Sequence, residues 1–221
     1  MKFLVTLSSS IKGNLLWTEG RIILYVLVGL GCLGYFLSGW FSVVFGILLL
    51  FSFYFFRNPE RVCVLAQHDK HLLVSPADGK VVAIEEVHDA VFSHKIAIFL
   101  SPFDVHLNWV PLSGTVTDVV YHKGKFALAF LPKSSELNER NDLIITTHVG
   151  IPLRIRQIAG TIARVIVCWV KPGDNLRAGQ KYGMIKFGSR TELFVPRSVD
   201  IVVNVGQKVR GGETVIAKVR T

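Results

Sequence analysis

Cysteine is scarce in this chain of 221 residues: Cys32, Cys63 and Cys168 are the full set, and no C-x-x-C pair occurs. That excludes a disulfide-stapled scaffold and a dithiol active site, and it removes the usual zinc spacings, so no metal site is expected. After residue 57 the sequence has no long amphipathic helical stretch, which argues against a helical fold there. Lys and Arg number 25 against 16 Asp and Glu, a formal charge of +9, yet the basic residues are dispersed and no nucleic-acid signature accompanies them. No nucleic-acid partner is therefore expected. The sharpest absence is of charge: Ile22–Phe56 is a run of 35 residues without Asp, Glu, Lys, Arg or His.

One membrane-crossing helix needs about 20 apolar residues. The run exceeds one span and carries a break at Ser38-Gly39-Trp40, leaving Ile22–Leu37 and Phe41–Phe56. Lys2, Lys12 and Arg21 precede it, and Arg57 and Arg61 follow. Positive charge at both ends favours a helical hairpin at 22–56 with both ends in the cytoplasm; a single long tilted helix is the alternative. Residues 1–56 are thus expected to anchor the protein and 57–221 to form a β-rich domain. A cleaved signal peptide fits poorly, because the apolar run continues into Phe51–Phe56. With an anchor, an anionic lipid surface becomes the natural partner for the positive charge.

Beyond residue 57, short β-branched runs alternate with Gly, Pro and Asp punctuation. Strands are expected at Gly79–Val87, Lys95–Leu100, Gly114–Tyr121, Leu143–Thr147, Leu153–Ile158, Gly160–Trp169, Tyr182–Phe187, Glu192–Val195 and Thr214–Val219, with Asn138–Asn141 at most a short turn. Weak repeats run through this part. Ala77–Val81, Leu112–Val116 and Ile158–Ile162 share one small-Gly-polar-branched pattern, and Val170–Gln180 echoes Asn204–Glu213. The fold class is mainly β, and it resembles a barrel-sandwich hybrid, the fold of biotinyl and lipoyl carrier domains. Those domains carry their cofactor on a lysine in a hairpin, and no Met-Lys pair of that type occurs in the β-rich part.

Within Phe187-Gly188-Ser189-Arg190, a serine follows a residue with no side chain. The Gly188 carbonyl is sterically open, and the Ser189 hydroxyl can attack it. Gly-Ser is also a common turn dipeptide, so other residues must decide. Several stand in order: Phe55–Arg61 (FFRNPER), Ser75–Val81 (SPADGKV), Phe99–His106 (FLSPFDVH), Tyr121–Phe126 (YHKGKF), Asn138–Asn141 (NERN), Arg156–Gly160 (RQIAG) and Gly183–Arg190 (GMIKFGSR). Together they resemble the short-form phosphatidylserine decarboxylases over about residues 50–221.

The resemblance implies a self-made pyruvoyl cofactor. Ser189 would attack Gly188, and the chain would part into 1–188 and 189–221, the latter opening with a pyruvoyl group derived from Ser189. It implies roles for Asp78, from Pro-Ala-Asp-Gly, and for His106, from Ser-Pro-x-Asp-x-His, as carboxylate and imidazole. His106 is also the implied proton donor in decarboxylation. Longer family members carry a second histidine where this chain has Trp109, which leaves the processing base open. His106 can serve both steps, or His148 can substitute because it ends an expected strand, with His122 and His94 next. Lys123, Lys125 and Arg140 read as solvated charges or as contacts to lipid phosphate.

The implied substrate is phosphatidylserine in the bilayer and the products are phosphatidylethanolamine and carbon dioxide. The implied location is the inner membrane with the catalytic domain facing the cytoplasm. A homo-oligomer is compatible with the resemblance. Two alternatives remain: a non-catalytic membrane-tethered adaptor, and a pyruvoyl decarboxylase for another amino-acid head group.

Overall fold

A computed structural model describes residues 13–124, 138–160, 165–186 and 189–220, and for Ser189 it describes the backbone. The chain divides into two compact units, one ending at Glu60 and one beginning at Arg61.

In the first unit the apolar run forms α1 (Arg21–Leu37) and α2 (Gly39–Phe55). Ser38 separates them with extended backbone, φ −169° and ψ 129°. The helices run side by side in opposite directions. A Cβ at Gly34 would press on Phe41 at 2.8 Å, and the Ser42 hydroxyl donates to the Gly31 carbonyl at 2.9 Å. Each helix has 17 residues, about 26 Å of rise against a hydrocarbon core of about 30 Å. The membrane-crossing hairpin expected from the sequence is not seen: no helix among the described residues is long and apolar enough to cross a membrane. Both helices nonetheless expose large apolar side chains, including Tyr25, Phe36, Leu37, Trp40 and Leu50.

The second unit is mainly β, with one short helix among the described residues, α3 (Val64–His68). Its strands are β1 (Leu72–Val74), β2 (Gly79–Glu86), β3 (His94–Leu100), β4 (Leu107–Trp109), β5 (Gly114–His122), β6 (Arg140–Thr147), β7 (Pro152–Ile158), β8 (Val165–Cys168), β9 (Asn175–Leu176), β10 (Lys181–Lys186), β11 (Ser189–Val195), β12 (Val199–Ile201), β13 (Lys208–Val209) and β14 (Val215–Val219). Eight of them form a curled antiparallel sheet, β13-β2-β3-β11-β7-β6-β5-β9, a half-barrel. Two three-stranded sheets, β1-β14-β12 and β4-β10-β8, accompany it. The Asn138–Asn141 segment differs from the expected turn: Arg140 and Asn141 already belong to β6 and pair with His122 and Tyr121.

The sequence echoes become a structural repeat. Gly79 on β2 opposes Val209 on β13, and Gly114 on β5 opposes Leu176 on β9. Val81 donates to the Gln207 carbonyl and receives Gly206; Val116 donates to Asp174 and receives Gly173, all at 2.8–2.9 Å. Both strands then bulge two residues after the glycine, between Val81 and Ala83 and between Val116 and Asp118. The glycines are required by close approach. A Cβ at Gly79 would collide with the Phe99 carbonyl, and one at Gly114 with the Thr146 carbonyl. The halves meet where β11 pairs with β7 at the middle of the large sheet.

Candidate active site

β11 begins at Ser189, immediately after the Gly188 carbonyl that the sequence marks for attack. Phe187 and Gly188 lie outside the described residues. Ser189 opposes Leu100 on β3, and Arg190 opposes Phe99 on one side and Ile158 on the other. This end of the sheet forms one row, Lys80–Phe99–Arg190–Ile158–Arg140–His122.

β4 brings His106 to this end. β4 pairs with β10, and the Ile185 amide donates to the His106 carbonyl at 3.0 Å. Three residues after Ile185 the chain reaches Gly188. His106 is fully buried, and its Nδ1 lies 3.0 Å from the Asp104 carbonyl oxygen. A carbonyl only accepts, so in the neutral ring the proton sits on Nδ1 and Nε2 carries the lone pair. The Asp104 carboxylate is itself tied back to the Ser101 amide and hydroxyl at 2.8 and 2.7 Å. The turn before His106 is therefore stiff.

Asp78, the carboxylate that the resemblance implies, is held by an arginine and a backbone amide. It sits buried at the start of β2, where Arg61 holds both carboxylate oxygens, Nη1 on Oδ1 and Nη2 on Oδ2 at 2.9 Å. The Gly211 amide also donates to Oδ1 at 2.8 Å. Asp78 thus spans from the segment before Gly188 to the one after it. Trp109 fills the space beside this clamp. It is fully buried, the Arg61 guanidinium lies 4.9 Å from its ring centroid, and Gly211 and Gly212 leave room for the indole.

The alternative histidines separate by register. His148 follows the far end of β6, eight residues beyond Arg140, or about 26 Å along the strand direction. It lines a cleft of about 290 Å³ with Lys70, Ser113 and Arg177 instead. The structure does not bring His148 to Ser189. His94 opposes Val195, again at the far end. His122 lies in the cleavage-end row, three strands from Arg190, with Nε2 3.8 Å from Asp142. Nearby, burial and then the Glu139 carboxylate push the Tyr121 hydroxyl well above the usual phenol range.

Sequence reasoning missed a set of buried polar side chains beside this site. Asn108, Asn141, Gln157 and Thr191 are each fully buried and hydrogen-bonded to one another. A signal existed: Asn108 stands two residues after His106 and Thr191 two after Ser189, the spacing that repeats one face of a strand.

The family model described as phosphatidylserine decarboxylase matches residues 48–217. A phosphatidylserine decarboxylase proenzyme of Syntrophus aciditrophicus is 46% identical over 181 residues, covering 80% of this chain and 84% of that protein. The proenzyme of Parabacteroides distasonis is 43% identical over 204 residues (90% and 89%), and that of Carboxydothermus hydrogenoformans is 43% identical over 210 residues (93% and 97%). A matched model over most of the chain, and relatives of this identity along nearly their whole length, place the chain in the phosphatidylserine decarboxylase family.

Proposed function

We propose that this chain is a proenzyme that cuts itself between Gly188 and Ser189 and then decarboxylates phosphatidylserine to phosphatidylethanolamine. The observation that carries this reading is the placement of His106. It is buried, its Nδ1 is held by the Asp104 carbonyl, and its backbone is bonded to the strand that runs into the cleavage dipeptide.

Self-cleavage needs a base for the serine proton, because a neutral hydroxyl is a weak nucleophile. His106 Nε2 takes that proton as Oγ bonds to the Gly188 carbon. The Gly188–Ser189 C–N bond then breaks, the amine of residue 189 receives the proton, and an ester joins the two segments. Loss of the Ser189 α-proton and cleavage of the Cβ–Oγ bond leave Gly188 as a carboxylate and residue 189 as dehydroalanine. Water then replaces its nitrogen, which departs as ammonia, and a pyruvoyl group remains. A serine opening a strand beside a buried, oriented histidine suits the formation of that group. Its electrophilic carbonyl would draw off the electron pair left when carbon dioxide departs. His106 returns a proton to the carbon that lost carbon dioxide, a task suited to an imidazole, which can both take up and give back a proton. Asp78 acts as a positioning residue in this scheme, through Arg61 and Gly211.

The reading extends to the lipid surface. The exposed apolar side chains of α1 and α2 and the charge of +9 suit a site at an anionic bilayer, the inner membrane with the catalytic unit toward the cytoplasm. The reading also takes the second unit as barrel-sandwich-like; its support is the repeated glycine-turn pairing of β13 with β2 and β9 with β5.

Mass spectrometry of the purified protein, with a parallel assay of carbon dioxide release from vesicles, tests the proposal. The expected result is two chains, 1–188 and 189–221, the second lacking a free amine and reactive toward borohydride. An active preparation whose chain is intact at Ser189 overturns it. Release from another amino-acid head group in preference to phosphatidylserine would move the substrate assignment.

A further inference from the structure

A row of polar side chains crosses the core one step in from the cleavage end. Asn141 on β6 opposes Gln157 on β7, and Gln157 opposes Thr191 on β11. Asn108, from β4 in the other sheet, lies across this row and bonds to both Gln157 and Thr191. All four are fully buried, while the same sheet carries Leu143, Ile155 and Leu193 two residues away. Four buried polar side chains cost stability unless each is matched, and an apolar quartet would avoid the cost.

The orientation of the bonds is fixed by backbone carbonyls. Gln157 Nε2 donates to Asn108 Oδ1 at 2.9 Å and to the Val167 carbonyl at 3.3 Å. Asn108 Nδ2 donates to Thr191 Oγ1 at 3.0 Å and to the Pro76 carbonyl at 3.4 Å. A carbonyl cannot donate, so neither amide can be flipped. Asn141 Nδ2 in turn donates to Gln157 Oε1 at 3.1 Å. The donors run in one sense, Asn141 to Gln157 to Asn108 to Thr191, and bonds aligned this way reinforce one another. Gly183 on β10 makes room: a Cβ there would stand 2.9 Å from Gln157 Nε2.

The end of this chain matters for the site. From the Asn108–Thr191 bond, two residues back along the chain is His106, just before β4, and two residues back along β11 is Ser189. Both steps lead toward the 187–188 link that joins β10 to β11. We propose that the buried Asn141–Gln157–Asn108–Thr191 chain is the positioning device for self-cleavage, locking β4 against β11 in the register that presents Ser189 to His106. Asn108 and Thr191 are positioning residues in this scheme.

The inference rests on the self-cleavage reading, and the test separates the two. Wild type, Thr191→Val, Thr191→Ser and Thr191→Cys are made by cell-free translation. Conversion to the 1–188 and 189–221 chains is followed by gel over time. Valine keeps the shape and removes the acceptor of Asn108. Its cleavage should slow by about tenfold, roughly the value of one hydrogen bond. Serine should restore the wild-type cleavage rate. A merely space-filling role would be met by valine and not by the smaller serine, the reverse of the expected order. Wild-type cleavage of the valine variant overturns the inference. If that variant does not fold, Thr191→Cys decides on the same terms, since a thiol is a weak acceptor. A wild-type chain that never cleaves sinks the self-cleavage reading instead.

Discussion

Arg61 grips both carboxylate oxygens of Asp78, and Asp78 in turn receives the Gly211 amide. The other half of the repeat has the second contact without the first. Ser113, at the position of Asp78 before the repeated glycine, receives the Ala178 amide at 2.9 Å. The amide contact is therefore a turn lock common to both halves, and the buried ion pair is an addition in the half that holds the cleavage bond.

The addition predicts a specific pattern of stability. In a Ser189→Ala background, which keeps one chain, Arg61→Met strands a buried carboxylate at a cost of about 3–5 kcal/mol. The melting temperature should fall by roughly 10 °C. Adding Asp78→Ser, which copies the other half, should recover most of that loss. A double variant as unstable as Arg61→Met alone would show that the charge was not the cause. Asp78→Asn in the native background addresses chemistry: cleavage lost with the melting temperature intact would assign Asp78 a direct part in the reaction.

His106 and His148 should separate in a cleavage assay. Removing a general base costs about 10²–10⁴-fold, so His106→Ala should leave the chain intact over hours. His148→Ala should cleave at the wild-type rate, because the register sets it at the far end of β6. A cleavage defect in His148→Ala with an unchanged melting temperature would contradict the placement.

The sequence was most informative where local chemistry decides the outcome. The glycines of Ala77–Val81 and Leu112–Val116 announce a repeat, since both mark a backbone approach that a Cβ would block. The alternation of β3, β5 and β7 gives strands within a residue or two of those expected. Short strands such as β4, β9 and β13 were not legible, because two or three residues carry no period. The β4–β10 register that carries His106 and the Arg61 clamp on Asp78 both join residues far apart in sequence, so neither is local. The buried amide chain joins residues 108, 141, 157 and 191; the two-residue spacing of Asn108 from His106 and of Thr191 from Ser189 hints at two of them, and nothing local points to Asn141 or Gln157.

The three thiols should react in sharply different order. Cys168 is buried in the core, and that burial pushes its thiol up from the ordinary range, while Cys32 is exposed and Cys63 half-exposed. At pH 8 a maleimide should label Cys32 and Cys63 in the native protein and reach Cys168 only in denaturant, because the reactive form is the thiolate. Peptide mapping after timed labelling measures this directly. Native labelling of Cys168 at the rate of Cys63 would mean that β8 opens readily.

The two chains made by cleavage should remain one particle. Residues 189–221 supply β11, which lies between β3 and β7, and β14, which lies between β1 and β12; β13 pairs with β2. Breaking the 188–189 bond removes a covalent link at one end of β11 and none of these ladders. Release of the short chain would expose the unpaired edges of β3 and β7 in the middle of the large sheet, each backbone group there losing its partner. Asp78 and Gly211 add a contact across the cut. The fragments should therefore co-elute in size-exclusion chromatography and appear as one mass in native spectrometry, and separate only in denaturant. Free 189–221 chain in native buffer would show that the interleaved strands do not hold the cleaved enzyme together.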